Sequence, residues 1–586
     1  MSPAHSILSL SHAETGTTPS HAETGTTPSR AETGTTPSNL NIFPRSLVDQ
    51  DGVEYALAQT TTGLQLVILA DPAAPRAGTG TTSPRAGTGT TSLTGFEGEC
   101  SELAGKTLLI GPCNPQNAAA LRARLDWLQP GLLGLRTSAG MGDRVGLATP
   151  GHVRAVRATG GKTVVPGSST GIAPIFAQQS IREMTRTGRT PQQVMDDATW
   201  GIFQEGWHEG VGADADHLKT TTDIDACMAA GFTFFTIDPG AHVDNRAETA
   251  SLDELRELAE SLPANLQPRA SGLLGKGFDI EGLWLTFGEA TLLKAVVKYG
   301  KAVAHVASMY NYLVKAAGTR PFELEVSVDE TDQPTSHAEH LYITSELKRL
   351  GVKWVSLAPR YVGRFEKGVD YIGDVAAFET DLAGHAAIAR QFGPYKLSLH
   401  SGSDKFSIYP AAMRQTRGLV HLKTAGTSYL EALRTIGVVD VDLFREIYSF
   451  ARQRYETDKA SYHVSAELGR APLPEAVTDW PGLLDQFDAR EILHVTFGSV
   501  LTEPRAPCPV SRAGTGTTSR EPGLPRPVLE PGLPRGNRDY PARTGTTSQK
   551  RFYDRFMAAL NANPEAYASN LEKQFIRHLK PFSSLE

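Results

Sequence analysis

Short apolar runs alternate with helical patterns between Leu132 and Gly437, an order typical of parallel strands joined by helices. Eight of these runs are strand candidates. They are GLLGLRT ending at Thr137, IAPIFAQQS at Ser180, GVGADADH at His217, FTFFTID at Asp238, FELEVSVDE at Glu330, VKWVSLAP at Pro359, YKLSLHS at Ser401 and GLVHLKTAG at Gly426. Eight strand and helix units close naturally into a TIM-like (β/α)8 barrel, so the pattern predicts an α/β fold.

Residues typical of helix N-termini support this count of strand and helix units. Thr149-Pro150 and Thr190-Pro191 each resemble an N-cap followed by proline at the first helical position. Ser251 with Glu254 three residues later has the spacing of a capping box. The stretch from Gly272 to Gly318 predicts an extra helical insertion within the barrel.

Three tandem-repeat tracts interrupt the chain with a common period of nine residues. Three copies of HAETGTTPS, the last beginning with Arg, run from His12 to Ser38, and PRAGTGTTS is repeated from Pro75 to Ser92. RAGTGTTS, two copies of EPGLPR and RTGTTS lie between Arg505 and Ser548. Segments so poor in apolar side chains cannot offset the entropy of ordering them, so we expect flexible surface insertions. Phosphate binding by the GTGTT strings is the alternative, but no Lys-Ser/Thr pair follows them, as a P-loop requires.

The predicted organisation has four parts. Residues 1–38 form a low-complexity tract, residues 39–131 an N-terminal region with the insertion at 75–92, residues 132–437 the catalytic barrel, and residues 438–586 a helical region with an insertion at about 505–548. Within the last part, Val439 to Leu468 and Arg551 to Leu579 have apolar residues at helical spacing. We expect these helices to pack on the outside of the barrel or against a partner.

Composition excludes several classes of function. With 40% hydrophobic and 21% charged residues the chain is globular, and its net charge of −7 argues against binding to nucleic acid. The four cysteines form no C-x-x-C pair, which favours a reducing compartment over a disulfide framework or zinc ribbon. No secretory segment and no apolar run of roughly 18 residues occurs, so we expect a cytoplasmic protein that does not enter a membrane.

Strand alternation places polar side chains inside the barrel. In the fifth strand Leu324, Val326 and Val328 face the helices, which leaves Glu323, Glu325, Ser327 and Asp329 inside. The same reasoning adds Asp214, Asp216, Thr236, Asp238, Ser356, Arg360, Lys396, Ser398, His400, His421 and Lys423, with His217 at the rim. Buried charges need partners or a metal, and sites in this fold lie at the carboxyl ends of the strands. This set therefore predicts an active site.

Individual residues also have simpler explanations. Each of the three histidines in that set is either a hydrogen-bonded rim residue or a metal ligand. Asp238 either begins a turn or serves the site, and the turn 401–403 either offers N–H groups to an anion or is only a turn. His337 and His340 lie in a helical pattern and are expected to be surface or packing residues.

Six stretches along the predicted barrel carry a family resemblance: GVGADADHLKT (210–220), GFTFFTIDPGAHV (231–243), LEVSVDET (324–331), KWVSLAPR (353–360), LSLHSGSDKFSIYP (397–410) and HLKTAGTSYLEALR (421–434). In these stretches the chain resembles the tagaturonate epimerase family, enzymes of hexuronate catabolism that interconvert tagaturonate and fructuronate. The resemblance implies a divalent-metal-dependent epimerase with a ketouronate as its small-molecule substrate. Assembly into a homo-oligomer is compatible with it.

The roles that follow are hypotheses. His217, His400 and His421 are assigned as metal ligands, and Asp216 and Glu325 as general base and acid whose pKa values differ. Arg182, Arg360 and Lys423 are expected to bind the substrate carboxylate, with Asp238 also contacting substrate. Retro-aldol cleavage and re-addition is the expected chemistry. The alternatives are a Schiff-base aldolase or transaldolase acting through Lys423, and a sugar-acid-binding barrel without catalysis.

Overall fold

The computed structural model describes residue 7 and residues 40–61, 63–72, 93–160, 171–505 and 550–583. The first two repeat tracts, and the third apart from Arg505, lie outside the described residues. The described chain forms an antiparallel sheet, a closed parallel barrel and a group of C-terminal helices.

An N-terminal antiparallel sheet precedes the barrel, in a region for which the sequence pattern predicts no elements. Its strands are β1 (Asn41–Ile42), β2 (Val48–Gln50), β3 (Val53–Thr60), β4 (Gly63–Ala70), β5 (Glu99–Leu103) and β6 (Lys106–Pro112), followed by helix α1 (Pro115–Arg124). Along β3, Tyr55 and Leu57 pack into the main core, whereas Ala56 and Ala58 pack into a smaller cluster on the other face. The alternation of strand side chains thus buries both faces of the sheet.

Ten strands follow the N-terminal sheet. They are β7 (Ser138–Gly140), β8 (Ala173–Ser180), β9 (Gly212–Leu218), β10 (Phe234–Ile237), the hairpin β11 (Gly277–Ile280) and β12 (Leu283–Thr286), β13 (Glu323–Val328), β14 (Ser356–Pro359), β15 (Lys396–Leu399) and β16 (Val420–Lys423). All but the hairpin are parallel and close into a barrel in the order β10-β13-β14-β15-β16-β7-β8-β9, which confirms the predicted fold class. Seven of the eight predicted strands overlap the observed ones. The hairpin and the long helix after it account for the predicted insertion.

The first predicted strand is wrong in position, because it ends at Thr137 and β7 begins at Ser138. The preceding residues run beneath the barrel instead. There the Glu323 carboxylate accepts hydrogen bonds from the backbone N–H groups of Leu133 and Gly134, which satisfies backbone groups that a strand would have paired.

The remaining helices surround the barrel. They are α2 (Thr149–Ala158), α3 (Ile181–Thr187), α4 (Pro191–Glu205), α5 (Thr221–Ala230), α6 (Leu252–Glu260), α7 (Pro268–Ser271), α8 (Glu289–Ala317), α9 (His337–Arg349), α10 (Val375–Gln391), α11 (Tyr409–Thr416), α12 (Thr427–Val439), α13 (Val441–Asp458), α14 (Phe487–Val495), α15 (Phe497–Thr502), α16 (Tyr553–Ala562) and α17 (Pro564–Leu579). Capping boxes at Thr190 and Ser251 confirm two predicted helix starts. The third start is wrong by one residue: the N-cap is Ala148, whose N–H is bound by the Asp143 carboxylate at 2.6 Å.

The C-terminal helices support a loop at the barrel mouth. His578 and Gln574 of α17 bind the Asp404 backbone N–H and carboxylate at 2.9 and 2.6 Å, and Arg490 of α14 lies 3.1 Å from the same carboxylate. Asp404 follows β15 by five residues. The loop beyond β15 is therefore held from outside the barrel.

The predicted helix from Val439 to Leu468 extends too far, since α13 ends at Asp458. The chain does not continue as an α-helix beyond Asp458, and Tyr462, His463 and Val464 line a cavity at the barrel mouth. Among the described helices, none has an apolar stretch long enough to cross a membrane.

Candidate active site

The Lys423 ammonium group lies at the centre of the barrel mouth, where four strands meet. Its Nζ atom lies 2.6 Å from Asp216 Oδ1, 2.8 Å from Glu325 Oε1 and 3.0 Å from Asp214 Oδ2. It also donates to Thr236 Oγ1 at 2.6 Å. All five side chains are buried, which confirms that the alternation places these residues inside.

Three carboxylates around one ammonium leave an excess of negative charge in a desolvated space. Burial opposes the charge of Lys423, but the three carboxylates hold its pKa well above the usual value. Burial likewise opposes ionisation of Asp216 and Glu325, yet Lys423 keeps the pKa of both below normal. Burial raises the pKa of Asp214 to about 7, since Lys423 offsets it only in part.

These directions correct one expectation. Asp216 and Glu325 were expected to be an acid and base with pKa values pushed apart, but the pKa of each is lowered. Among the three carboxyl groups around Lys423, the one whose pKa is raised by its surroundings is that of Asp214. The reason is positional, because Asp214 is fully buried one layer below Asp216 on the same strand face.

His400 joins this centre to a second carboxylate. Its Nε2 lies 2.7 Å from Glu325 Oε1, and its Nδ1 lies 3.3 Å from Asp329 Oδ1. Burial disfavours the imidazolium, but Asp329, against the opposing effect of Lys423 and with the help of Glu325, raises the pKa of His400 to about 10. His400 is thus held as a cation between two carboxylates.

His217 reaches the same place through an irregular strand end. Strand alternation would turn neighbouring residues to opposite faces, yet Asp216 and His217 both line the inner cavity. His217 has a φ of 54°, the left-handed region that few non-glycine residues adopt. Its ring centroid lies 5.0 Å from that of His400, and its Nδ1 lies 3.3 Å from Asp238 Oδ2.

Asp238 is held by more than this histidine. Lys219 Nζ lies 3.0 Å from Asp238 Oδ2, and the Gly240 N–H donates to Asp238 Oδ1 at 2.8 Å. Burial opposes its ionisation, but the His217 and Lys219 contacts lower its pKa to about 2. Asp238 therefore orients His217, and it also begins the turn that the sequence offered as the simpler explanation.

Two groups at the mouth could hold a metal ion. One combines His217, Asp329 and His400, and the other His217, Asp238 and Glu330, each with ligand atoms within 4.8 Å of one another. Within the described residues His421 belongs to neither group. It lies deeper, with Nδ1 2.9 Å from Ser138 Oγ and its ring 5.3 Å from Phe234, and burial lowers its pKa to about 3.

A cavity of about 630 Å³ opens above this centre and continues into a small inner recess of about 50 Å³. The residues that line both are Arg182, His217, Lys367, His400, Ser401 and Tyr462. Lys423 and Asp216 line only the recess. Glu325 is completely buried and lines neither space.

The three residues predicted to bind the substrate carboxylate, Arg182, Arg360 and Lys423, differ from one another in their access to the cavity. Arg182 lines both spaces and pairs with Glu330 at 2.8 Å. Arg360 lines the outer cavity, but one of its amino groups is already bound to the Thr331 carbonyl. Lys423 is surrounded by carboxylates, which leaves it poorly suited to bind another anion as its main partner.

Three residues at the cavity were absent from the predicted site. Asp329 was predicted to face inward, and its spacing of two from Ser327 could have added it as a ligand candidate. Lys367 lies in the loop after β14 and Tyr462 after α13. Neither follows a recognisable pattern, because a loop residue reaches a cavity only through the tertiary course of the chain.

Comparisons with known proteins agree with one another. A family model described as tagaturonate epimerase matches residues 85–510. The tagaturonate/fructuronate epimerase of Thermotoga maritima is 42% identical over 464 residues, which cover 79% of this chain and 90% of that protein. The native crystal structure of the fructuronate-tagaturonate epimerase from Cohnella laeviribosi is 32% identical, with a TM-score of 0.76, covering 93% of this chain and 96% of that one. A form of the latter with two glycerols has a TM-score of 0.77.

Replacing the central ammonium should reverse the pH dependence of this cluster. In the wild type, Asp216 and Glu325 have lowered pKa values, so they add stability above their unfolded pKa and lose it as pH falls. In Lys423→Met, burial without a counter-charge should raise both pKa values, so their contribution should be lost as pH rises. Denaturant unfolding at pH 8 should show a loss of about 3–5 kcal/mol, and a smaller loss at pH 5.

The exposed Lys353 provides the matched control, since Lys353→Met removes one ammonium without touching the cluster. It should unfold like the wild type at both pH values. An equal loss for Lys423→Met at pH 5 and pH 8 would contradict the assigned charges.

Proposed function

The chain belongs to the tagaturonate epimerase family, and on that basis we propose that it interconverts tagaturonate and fructuronate at its barrel mouth. This membership confirms the resemblance seen in the sequence and makes the protein an epimerase, a member of the isomerase class. The observation that best supports the proposal is the group of three buried side chains, Lys423, Asp216 and His400, which line one recess together with the partly exposed His217.

The reaction inverts a carbon that is not adjacent to the ketone. Its C–H bond is therefore not acidified by the carbonyl, and simple enolisation does not suffice. We propose a retro-aldol route: a base removes the hydroxyl proton of that carbon, and the bond to the carbon next to the ketone breaks. The products are an aldehyde and an enediolate. Rotation of the aldehyde and re-formation of the same bond, with return of the proton, gives the epimer.

Asp216 is the proposed proton acceptor. It is ionised, it lines the recess, and its two oxygens are oriented by Lys423 at 2.6 Å and by Gln178 Nε2 at 3.2 Å. Glu325 contacts His400 but lines neither space. We therefore assign Glu325 as a positioning residue that acts through His400, which revises its sequence-based role as a general acid.

His217, Asp329 and His400 fit a divalent cation at the mouth. Two imidazole nitrogens and one carboxylate oxygen converge within 4.8 Å, a donor set that suits ions such as Zn²⁺ or Mn²⁺. A cation held there would require a neutral His400, because a coordinating ring nitrogen carries no proton. When bound, it supplies a Lewis acid for the ketone oxygen and the neighbouring hydroxyl. Asp329 replaces His421 in the proposed ligand set.

Lys367 and Arg182 are the proposed receptors for the substrate carboxylate. Both line the cavity and the recess. Burial and the nearby Arg182 lower the pKa of Lys367, so an anion between these two cations would relieve their repulsion. The carboxylate stands on the aldehyde fragment, and its anchoring would allow that fragment to rotate about its remaining bond without leaving the cavity.

The Schiff-base alternative requires a neutral amine on Lys423. Three carboxylates within 3.0 Å favour the ammonium form of that side chain instead. This arrangement suits Lys423 to balancing charge and argues against a nucleophilic role.

The retro-aldol route predicts that the epimerised carbon keeps its hydrogen. Tagaturonate converted in D₂O should give fructuronate without deuterium at that carbon, measured by NMR and mass spectrometry. Slow leakage of a three-carbon ketose and a three-carbon aldehyde acid should accompany turnover. Deuterium at the inverted carbon would overturn the route, and no conversion of tagaturonate would overturn the proposed function.

Asp216→Asn should lower kcat by about 10²–10⁴-fold, the range for loss of a general base. Substrate binding measured by calorimetry should change far less, because the amide keeps the size of the side chain. Asp332→Asn is the matched control, since Asp332 is an exposed carboxylate on the cavity rim. Equal kcat values for the wild type and Asp216→Asn would remove Asp216 from proton transfer.

Lys367→Met should raise the KM for a ketouronate on the order of 10- to 100-fold, the effect of losing one charged hydrogen bond. The matching ketohexose lacks the carboxylate, so its kcat/KM should be almost the same in the variant and the wild type. Lys353→Met serves again as the control. If Lys367→Met weakened both substrates equally, carboxylate recognition would lie elsewhere.

A further inference from the structure

A third group of side chains that could hold a metal ion lies on the outside of the barrel, between α9 and α10. We propose that His337, Asp381 and His385 bind a divalent transition-metal ion such as Zn²⁺, which fastens these two helices together. This group shares no residue with those at the barrel mouth. It plays no part in the proposed reaction and does not depend on it.

The geometry is close to that of a tetrahedral site. His337 Nε2 lies 3.5 Å from Asp381 Oδ1, and His385 Nε2 lies 3.6 Å from the same oxygen. All three ligand atoms lie within 4.8 Å of one another. With metal–ligand bonds of about 2.0–2.1 Å, the edge of a tetrahedron is about 3.3–3.4 Å. To complete the coordination, His337 Nε2 would exchange the hydrogen bond that it donates to the Asp381 carbonyl oxygen at 2.9 Å for the metal ion.

The buried Nε2 atom of His385 is the observation that points to a ligand. The ring is fully buried, and this nitrogen has no hydrogen-bond partner among the described residues. Its other nitrogen, Nδ1, lies 2.9 Å from His340 Nδ1. If His385 donates through Nδ1, its Nε2 presents a lone pair towards Asp381, an arrangement that a cation between them would stabilise.

The surrounding hydrogen bonds supply the support that a metal-bound histidine usually has. His340 Nε2 lies 2.9 Å from the Tyr395 hydroxyl, which lies 2.9 Å from Thr344 Oγ1. The chain permits two consistent proton arrangements: in one, His385 donates through Nδ1 and its Nε2 carries a lone pair, and in the other every hydrogen bond runs in the opposite direction. The competing explanation is a hydrogen-bonded histidine pair, in which the His385 ring also interacts with the nearby backbone of Thr335.

Access and position both suit such a site. The side chains of His337 and Asp381 are 23% and 14% exposed, so an ion can enter and a water molecule can serve as the fourth ligand. Asp381 Oδ2 also accepts the Val362 N–H at 3.2 Å, and the neighbouring Tyr361 and Gly363 line the substrate cavity. The ion would thus steady the segment that forms one wall of that cavity.

Metal counting tests the proposal directly. The full-length wild type and the variants His337→Gln, Asp381→Asn and Thr380→Ala are stripped with a chelator, dialysed against micromolar Zn²⁺ and analysed for bound zinc. Glutamine can still donate to the Asp381 carbonyl, which His337 binds at 2.9 Å, and asparagine can still accept from Val362. We expect His337→Gln and Asp381→Asn each to bind one equivalent fewer than the wild type. Thr380→Ala, an exposed neighbour on α10, should bind as the wild type does.

A His400→Ala background separates the two groups. His337→Gln should cost one equivalent in this background too, whether or not the mouth group itself binds zinc. Added Zn²⁺ should raise the Tm of metal-free wild type and of His400→Ala by more than that of the corresponding His337→Gln proteins. Equal zinc content in the wild type, His337→Gln and Asp381→Asn would overturn the proposal and leave the hydrogen-bonded histidine pair as the explanation.

Discussion

The ammonium group of Lys423 is what allows three carboxylates to be buried at the mouth of this barrel. Isolated charges are costly to bury, and a buried cluster is tolerated only when its charges are paired and hydrogen-bonded. Asp214, Asp216 and Glu325 come from β9 and β13 and all lie within 3.0 Å of the same nitrogen. The cluster therefore fixes the register of strands that are far apart in the sequence, and it leaves Asp216 ionised beside the recess.

The ammonium group of Lys423 also helps to position one of the two histidines at the mouth. Glu325 contacts both Lys423 and His400, so the position of the imidazole depends on the ammonium through a shared carboxylate. His217 approaches from the other side because the end of β9 departs from regular strand geometry. Without that left-handed residue, alternation would direct His217 towards the helices and leave the mouth with a single imidazole.

Much of the site is supported from outside the barrel. The loop beyond β15 is held by α14 and α17 through Asp404, while Tyr462 after α13 contributes to the cavity wall. On another side, the group formed by His337, Asp381 and His385 lies behind the segment that carries Tyr361. The C-terminal helices and the outer layer thus shape a substrate cavity whose chemistry resides on the strands.

The sequence by itself determined the barrel, most strand positions, the inward orientation of the polar residues and the family. These properties depend on local periodicity and on contiguous motifs, which a single chain displays directly. Only the tertiary structure decided which inward residues meet. It joined His217 and His400 to Asp329 and placed His421 a layer deeper. The carboxyl group around Lys423 with the raised pKa is that of Asp214, and neither Asp216 nor Glu325, the predicted acid–base pair, has a raised value. The fold also brings Lys367 and Tyr462 to the cavity. The depth of a side chain in the barrel, the desolvation of an ionisable group and the course of a loop all depend on residues that are distant in the sequence. A local sequence pattern therefore cannot predict them.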